Sequence, residues 1–247
     1  MEEKKFTIGG NLDSALKGES TFDAESVLKE GWEITKNGKS VLLLGTMLIV
    51  WICVGFFIFV SQFVDFENPI ELPPMTRVLI DVSLTVLLAP FLAALEMTGI
   101  SNSIRALSKP SFIFHFVPKT LILSAASVLV GAVVQFGLAL FIVPGLYLLI
   151  ATSFTIPLIL DKGMNPFQAM STSIKIVNRR WLEFLKVFGF FGLLGMLTAI
   201  TFGIALIWTL PFYYNVKGVL YREVCGIQVK VVPLDNQKLK SDNIFHA

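Results

Sequence analysis

Charged residues are scarce in this sequence of 247 residues. Asp, Glu, Lys and Arg make up only 15% of the chain, whereas a soluble domain is about one quarter charged. This shortage excludes a disordered chain and a coiled coil, because both types depend on abundant charged side chains. It also argues against an ordinary soluble domain, because 54% of the residues are hydrophobic and they form long runs.

Cysteine and histidine are equally rare, with two residues of each. Cys53 lies in an apolar run and Cys225 near a basic tail, so a disulfide framework is not expected. Neither His115 nor His246 has a cluster of possible ligands around it, so the sequence predicts no zinc site. The net charge is only +2, which gives no basic field for nucleic acid.

The sequence also lacks the short motifs that mark common enzyme sites. It contains no HExxH, no GxSxG, no Walker A loop and no dinucleotide fingerprint. We therefore predict a protein that is not an enzyme and that carries no cofactor.

The chain contains long runs of residues without charge. A membrane span needs roughly 20 apolar residues, and several runs are long enough. The run from Thr120 to Leu160 suits two spans, because Pro144-Gly145 is a turn signal inside it. The predicted spans in this part of the chain are residues 41–64, 78–100, 120–142 and 145–160.

The last uncharged run, residues 187–216, fits either one long tilted helix or a hairpin with a turn at Gly203. Cytoplasmic links are rich in Lys and Arg, and only six spans place all the basic links on one side. We therefore predict an all-α polytopic protein with six transmembrane helices in three hairpins and both termini cytoplasmic. The predicted regions are an N-terminal segment (1–40), a transmembrane domain (41–222) and a C-terminal tail (223–247).

Two cytoplasmic segments have amphipathic helical patterns. The first runs from Ala24 to Thr35, and we predict that it lies along the membrane surface as an interfacial helix and leads into the first span. The second begins at Asn165-Pro166, which suits a helix start, and predicts an interfacial helix or one that packs on the protein's own surface. Its apolar stripe consists of Phe167, Met170, Ile174, Val177 and Trp181.

Polar residues inside spans are candidates for function, because they are costly in a bilayer. Glu96 and Lys217 lie at similar predicted depth, so they can pair if their helices pack. They form either a gate or polar solute site, or an interfacial glutamate with a snorkelling lysine. Asn215 and Gln135 complete the candidate intramembrane polar site, and each suits a hydrogen bond between helices. A third feature is the glycine series 189, 192 and 195, which predicts close approach by another helix.

The segment between Pro144 and Trp181 resembles sequences of a known family. The residues that carry it are Pro144-Gly145, Tyr147, Ser153-Phe154, Pro157, Asp161, Pro166, Ala169-Met170, Ser173 and Trp181. This segment, with the closing LPFYYNVKGVLYREVCG, resembles YciC-like bacterial inner-membrane proteins and the membrane domain attached to some glycerophosphodiester phosphodiesterases. The resemblance is best over residues 120–226.

The resemblance implies a six-helix fold in a bacterial inner membrane and brings no catalytic residues with it. Ala151 departs from the pattern, because related sequences often carry an arginine there, and no phosphodiesterase domain is expected.

Two functions therefore remain open. The first is a non-enzymatic accessory protein that contacts the lipid bilayer and binds a protein partner or another copy through its cytoplasmic helices or tail. In that tail, Gly226–Val232 alternates like a short strand. The second is a small transporter or channel for a polar or lipid-like solute, in which the four polar residues line one cavity.

Overall fold

Most of the chain is helical, as the sequence predicts. The computed structural model describes residues 5–37, 40–64, 72–106 and 108–230, and 80% of it is helix with almost no sheet. The strands are β1 (Lys5–Ile8) and β2 (Ile227–Lys230). The helices are α1 (Leu12–Lys17), α2 (Ala24–Asn37), α3 (Ser40–Val60), α4 (Pro74–Ser103), α5 (Thr120–Leu140), α6 (Ile142–Ala151), α7 (Thr155–Lys162), α8 (Pro166–Arg179), α9 (Trp181–Ile200) and α10 (Leu206–Cys225), with 3-10 turns at Pro110–Phe114 and Val117–Lys119.

Five segments of the described chain are long and apolar enough to cross a membrane. They are α3, α4, the 3-10 turns with α5, α6 with α7, and α9. The outward side chains of these helices are largely apolar, and Trp51 on α3 is 73% exposed. Such a surface suits contact with lipid rather than with water.

The fourth predicted span is broken in the middle. Helix α6 ends at Ala151 and α7 begins at Thr155, two residues before Pro157. Because proline cannot donate a backbone hydrogen bond and crowds the preceding turn, it fits the first turn of a new helix. Ser173 on α8 closes the break, since its hydroxyl donates to the Ala151 carbonyl (2.7 Å) and accepts from the Phe154 amide (3.1 Å).

The last apolar run forms two helices rather than one long helix. The chain turns between α9 and α10, and Gly203 adopts a φ of +86°, which glycine tolerates without strain. The two helices then contact each other, with the rings of Phe191 and Tyr213 5.2 Å apart. Helix α10 is not among the five strongly apolar segments, because it also carries Lys217, Arg222 and Glu223.

Helix α10 lies at the centre of the fold, and its backbone contacts that of α4 directly. A Cβ atom added at Gly99 would overlap the Tyr214 carbonyl oxygen, and one added at Gly218 would overlap the Gly99 carbonyl oxygen. On another side of α10, Gly31 of α2 packs onto Val216 in the same way. Three glycines on three helices therefore allow α2, α4 and α10 to meet at van der Waals distance.

Both predicted amphipathic segments pack on the protein. Helix α2 crosses α10 and buries Val27, Gly31 and Thr35. Helix α8 buries a face made of Ala169, Ser173, Ile176 and Val177. Of the predicted stripe, Val177 belongs to this buried face, Phe167 is 69% exposed, and Met170, Ile174 and Trp181 are half-buried. The face is rotated from the predicted stripe, and this rotation places Ser173 at the break between α6 and α7.

The two ends of the described chain meet in one small antiparallel sheet. Phe6 pairs with Val229 and Ile8 with Ile227. The predicted strand in the tail therefore has a partner within its own chain, while residues 231–247 lie outside the described residues. Since α10 continues to Cys225, the predicted boundary at residue 223 falls inside a buried helix.

The contact between α4 and α10 predicts that Gly99→Ala lowers thermal stability. The added methyl group must push the two backbones apart, and overpacking of this kind costs about 1–3 kcal/mol. Thermal denaturation in detergent, followed by size-exclusion chromatography, measures the loss. Gly131→Ala is the matched control, because a Cβ atom there meets nothing within 4 Å. Equal melting temperatures for the two variants would contradict the importance of this contact.

Candidate functional site

Glu96 and Lys217 form an ion pair between α4 and α10. The Lys217 ammonium donates to Glu96 Oε1 over 2.6 Å, and the two side chains are only 7% and 15% exposed. The pair lies beside the glycine contact, since Glu96 precedes Gly99 by about one helical turn and Lys217 directly precedes Gly218. Close backbones and opposite charges therefore occur at the same point of the helix interface.

One hydrogen-bond acceptor of the ion pair has no partner within the described chain. Glu96 Oε2 is buried and has no hydrogen-bond partner. A buried ion pair loses much of its attraction to the cost of leaving water, so it adds little net stability. Removing one partner alone, however, would leave an uncompensated charge in the interior, which is strongly destabilising.

Asn215 belongs to a separate hydrogen-bond chain that joins three helices. Its side-chain oxygen accepts from Asn102 of α4 (2.9 Å), and its side-chain nitrogen donates to the Thr35 hydroxyl of α2 (3.0 Å). Thr35 in turn donates to the Gly31 carbonyl (2.7 Å). Asn215 and Thr35 are fully buried, so this chain fixes how α2 sits across α4 and α10.

A third polar contact holds the middle of α2, next to Gly31. The Arg222 guanidinium binds the Glu30 carboxylate with two bonds of 2.8 and 2.7 Å, and it also donates to the Ser103 carbonyl. The hydrogen bond from Arg222 holds the pKa of Glu30 below its usual range. Two parallel bonds fix the geometry as well as the charge, as is typical of arginine–carboxylate pairs.

Gln135 does not share this environment. It is exposed on α5, whereas Glu96, Lys217 and Asn215 lie in the interface of α2, α4 and α10. The structure thus brings three of the four candidate residues into one region but divides them between two separate contacts. The four residues do not line a common cavity.

Sequence reasoning missed a buried cluster around Asp161. This carboxylate accepts from the Tyr221 hydroxyl (2.9 Å) and the Gln228 amide (3.2 Å), and it pairs with Lys162 (3.1 Å). Lys162 also donates to the Gly226 carbonyl (2.9 Å). The cluster fastens the start of β2 to the end of α7. The sequence feature that could have indicated this cluster is the Asp-Lys pair that directly follows a long uncharged run.

Several clefts lie near these contacts in the described part of the chain, and three of them are formed by α2, α4, α6, α9 and α10. A polar cleft of about 410 Å³ lies where α2 and α4 end, between Glu33, Asn102 and Arg105. An apolar groove of about 590 Å³ runs between α6, α9 and α10 and contains the glycines at 189, 192 and 195. A second groove of about 570 Å³ lies between α2, α9 and α10. No helix of the described chain covers the three glycines, since nothing lies within 4 Å of a Cβ atom added there.

The chemistry available to these side chains is chiefly the joining of helices. Lys217, Asn215, Arg222 and Asp161 each bond to a group on another secondary-structure element. Within the described ranges, no three His, Cys, Asp or Glu residues lie close enough together to hold a metal ion.

Comparison of the chain with protein-family models, curated proteins and solved structures gives no match. The resemblance to YciC-like proteins therefore stays a prediction from the residues quoted above.

The buried ion pair predicts strong coupling between two substitutions. Glu96→Gln or Lys217→Met alone should lower the free energy of unfolding by about 3–5 kcal/mol, because each leaves one buried charge without its partner. The double variant should lose much less than the sum of the two. Unfolding in mixed detergent and sodium dodecyl sulfate micelles measures all four proteins of the cycle.

The pair Glu183–Lys186 provides the control cycle, since it is more exposed, with side-chain exposures of 24% and 65%. Its coupling should stay at or below about 1 kcal/mol. Additive effects at Glu96 and Lys217 would show that the two side chains do not act as a pair.

Proposed function

We propose that the chain is a non-enzymatic, multi-pass protein of a bacterial inner membrane that binds a protein partner at its cytoplasmic side. In this proposal it crosses the membrane six times in three hairpins, and it belongs with the YciC-like proteins that residues 120–226 resemble. Five apolar helices support a membrane location. Further observations support the proposed number of spans, the proposed side of the termini and the proposed role.

The pairing of β1 with β2 supports an even number of spans. These strands precede the first apolar helix and follow α10, so their hydrogen bonds require both to lie on the same side. A chain whose ends meet on one side crosses a bilayer an even number of times. With five apolar helices, α10 supplies the sixth crossing, and its polar residues Asn215 and Lys217 face the protein interior, as intramembrane polar residues generally do.

The distribution of basic residues supports a cytoplasmic location for this side. The links that precede α5 and α9 lie on the same side as the strands in a six-span topology. They contain Arg105, Lys109, Lys119, Lys162, Lys175, Arg179 and Arg180. Links rich in Lys and Arg remain in the cytoplasm during insertion.

This topology predicts which cysteine substitutions react with a membrane-impermeant maleimide added to intact spheroplasts. In a background without Cys53 and Cys225, Phe202→Cys should be labelled, because residue 202 is 98% exposed and lies at the outer turn. Thr7→Cys and Gln228→Cys should be labelled only after the membrane is permeabilised. Labelling of residues 202 and 228 under the same condition would contradict a crossing by α10.

The accessory role is best supported by the contacts that the buried polar groups make. Glu96, Lys217 and Asn215 bond across helices and hold α2, α4 and α10 together. A transporter alternates between two arrangements of its helices around a central site. Here such a change would have to separate a buried ion pair and a backbone contact between glycines, so a fixed scaffold fits the geometry better.

The surface that suits a partner is the cytoplasmic cap, which we define as β1, α1, α2, α8 and β2. Large apolar side chains stand out on it, since Phe6 is 53% and Phe167 is 69% exposed. Exposed aromatic side chains on a surface are typical anchors of protein–protein contacts. The partner is either another protein or a second copy of the chain.

Site-specific photo-crosslinking in cells tests this role. Phe6 and Phe167 are each replaced by p-benzoylphenylalanine, which keeps an aromatic ring at the same place. We expect a discrete protein adduct from the cap positions, because a bound partner covers them. Phe141, which is 75% exposed at the turn between α5 and α6, is the matched position on the opposite side and should give none. An equal yield from all three positions, or no adduct from the cap, would contradict the proposal.

One observation favours the alternative, a transporter or channel for a polar or lipid-like solute. The unpartnered Glu96 Oε2 is a buried acceptor, and groups of this kind often contact water or a ligand. This alternative expects the helices around Glu96 to move, whereas the accessory role expects them to stay in contact.

A further inference from the structure

The groove between α2, α9 and α10 combines apolar walls with a charged rim. Leu194 and Leu197 of α9 and Phe212 of α10 contribute to its walls, with Trp208 further along α10. Helix α2 forms the rim on the side of the cap. The groove has a volume of about 570 Å³, within the range of about 300–1,000 Å³ that is common for ligand sites.

One face of α2 points into this groove. Glu25, Leu28, Lys29 and Trp32 are spaced three or four residues apart, so they lie on the same side of the helix. Glu25, Lys29 and Trp32 are exposed. Among the described residues, neither Glu25 nor Lys29 has an ion pair or a side-chain hydrogen bond, whereas Glu30 on the neighbouring face is bound by Arg222. An anionic and a cationic group are therefore both available at the mouth of an apolar groove.

We propose that this groove binds one zwitterionic phospholipid with an amine in its headgroup, of the phosphatidylethanolamine type. The phosphate contacts the Lys29 ammonium, and the headgroup amine contacts the Glu25 carboxylate. One acyl chain follows the apolar walls between α9 and α10. Trp32 lies at the level of the headgroup, where tryptophan is common in membrane proteins.

Charge complementarity selects this occupant over the others. An anionic phospholipid would satisfy Lys29 but would place a second negative charge beside Glu25. An apolar helix from another protein, or from a second copy, would cover Glu25 and Lys29 without bringing an opposite charge to either. Burying the two charges is costly even where they pair with each other along α2. The zwitterionic headgroup alone supplies both opposite charges, and its acyl chain matches the apolar walls. The proposed lipid site does not depend on whether the cytoplasmic cap binds a protein.

Native mass spectrometry of the full chain, delipidated in detergent, tests the site by titration with phosphatidylethanolamine and with phosphatidylglycerol. We expect the wild type to bind phosphatidylethanolamine about tenfold more tightly, the value of one charge-assisted hydrogen bond. Lys29→Gln should weaken both lipids, because both contain the phosphate. Glu25→Gln should weaken phosphatidylethanolamine about tenfold and leave phosphatidylglycerol unchanged or tighter, which removes the preference.

Glu33→Gln and Lys36→Gln are the matched controls, because both residues are exposed on α2 but neither lines this groove. All four substitutions are at exposed positions, so the variants should fold like the wild type. Equal affinity of the wild type for the two lipids would overturn the proposal, because the groove would then accept any acyl chain. The same conclusion follows if Glu25→Gln acts no differently from Glu33→Gln, or if a lipid-free dimer forms instead of the lipid complex.

Discussion

The fold depends on the direct contact between the backbones of α4 and α10. Gly99 and Gly218 remove the side chains that would otherwise separate these helices, and Gly31 does the same between α2 and α10. In a bilayer, helices gain little by hiding apolar surface from one another, because lipid is equally apolar. Close packing and hydrogen bonds across the interface must therefore supply the attraction, and the glycines make both possible.

The same contact explains why α10 can be the most polar of the long helices. At the interface with α4, Lys217 meets Glu96 and Asn215 meets Asn102, so these polar groups are covered by protein instead of lipid. The low hydropathy of α10 thus reflects its central position. The helices around it carry the apolar outer surface, as the exposed side chains of α3 and α9 show.

Much of this fold could be predicted from the sequence, because charge-free runs mark the apolar helices directly. The similar depth of Glu96 and Lys217 could also be predicted, since the depth of a residue in a bilayer follows from its position along a helix. The position of Gln135 could not, because α5 is apolar on all sides and its pattern does not indicate which face is buried. The partners of Asn215, namely Asn102 and Thr35, depend on how three distant segments pack, and no local pattern encodes that. For α8, the buried face differs from the predicted apolar stripe, and it includes the polar residue Ser173, whose partners lie at the break between α6 and α7.

The pairing of β1 with β2 has a consequence for the order of biogenesis. Phe6 and Val229 are separated by 229 − 6 = 223 positions in the sequence. At the usual rate of synthesis of about 5–20 residues per second, Phe6 emerges roughly 10 to 45 seconds before its partner. Throughout that interval β1 has no strand to pair with, and the α2 face around Gly31 lacks its contact with α10. The N-terminal segment is therefore synthesised first but reaches its final place last, when the membrane helices between the two strands have already been made.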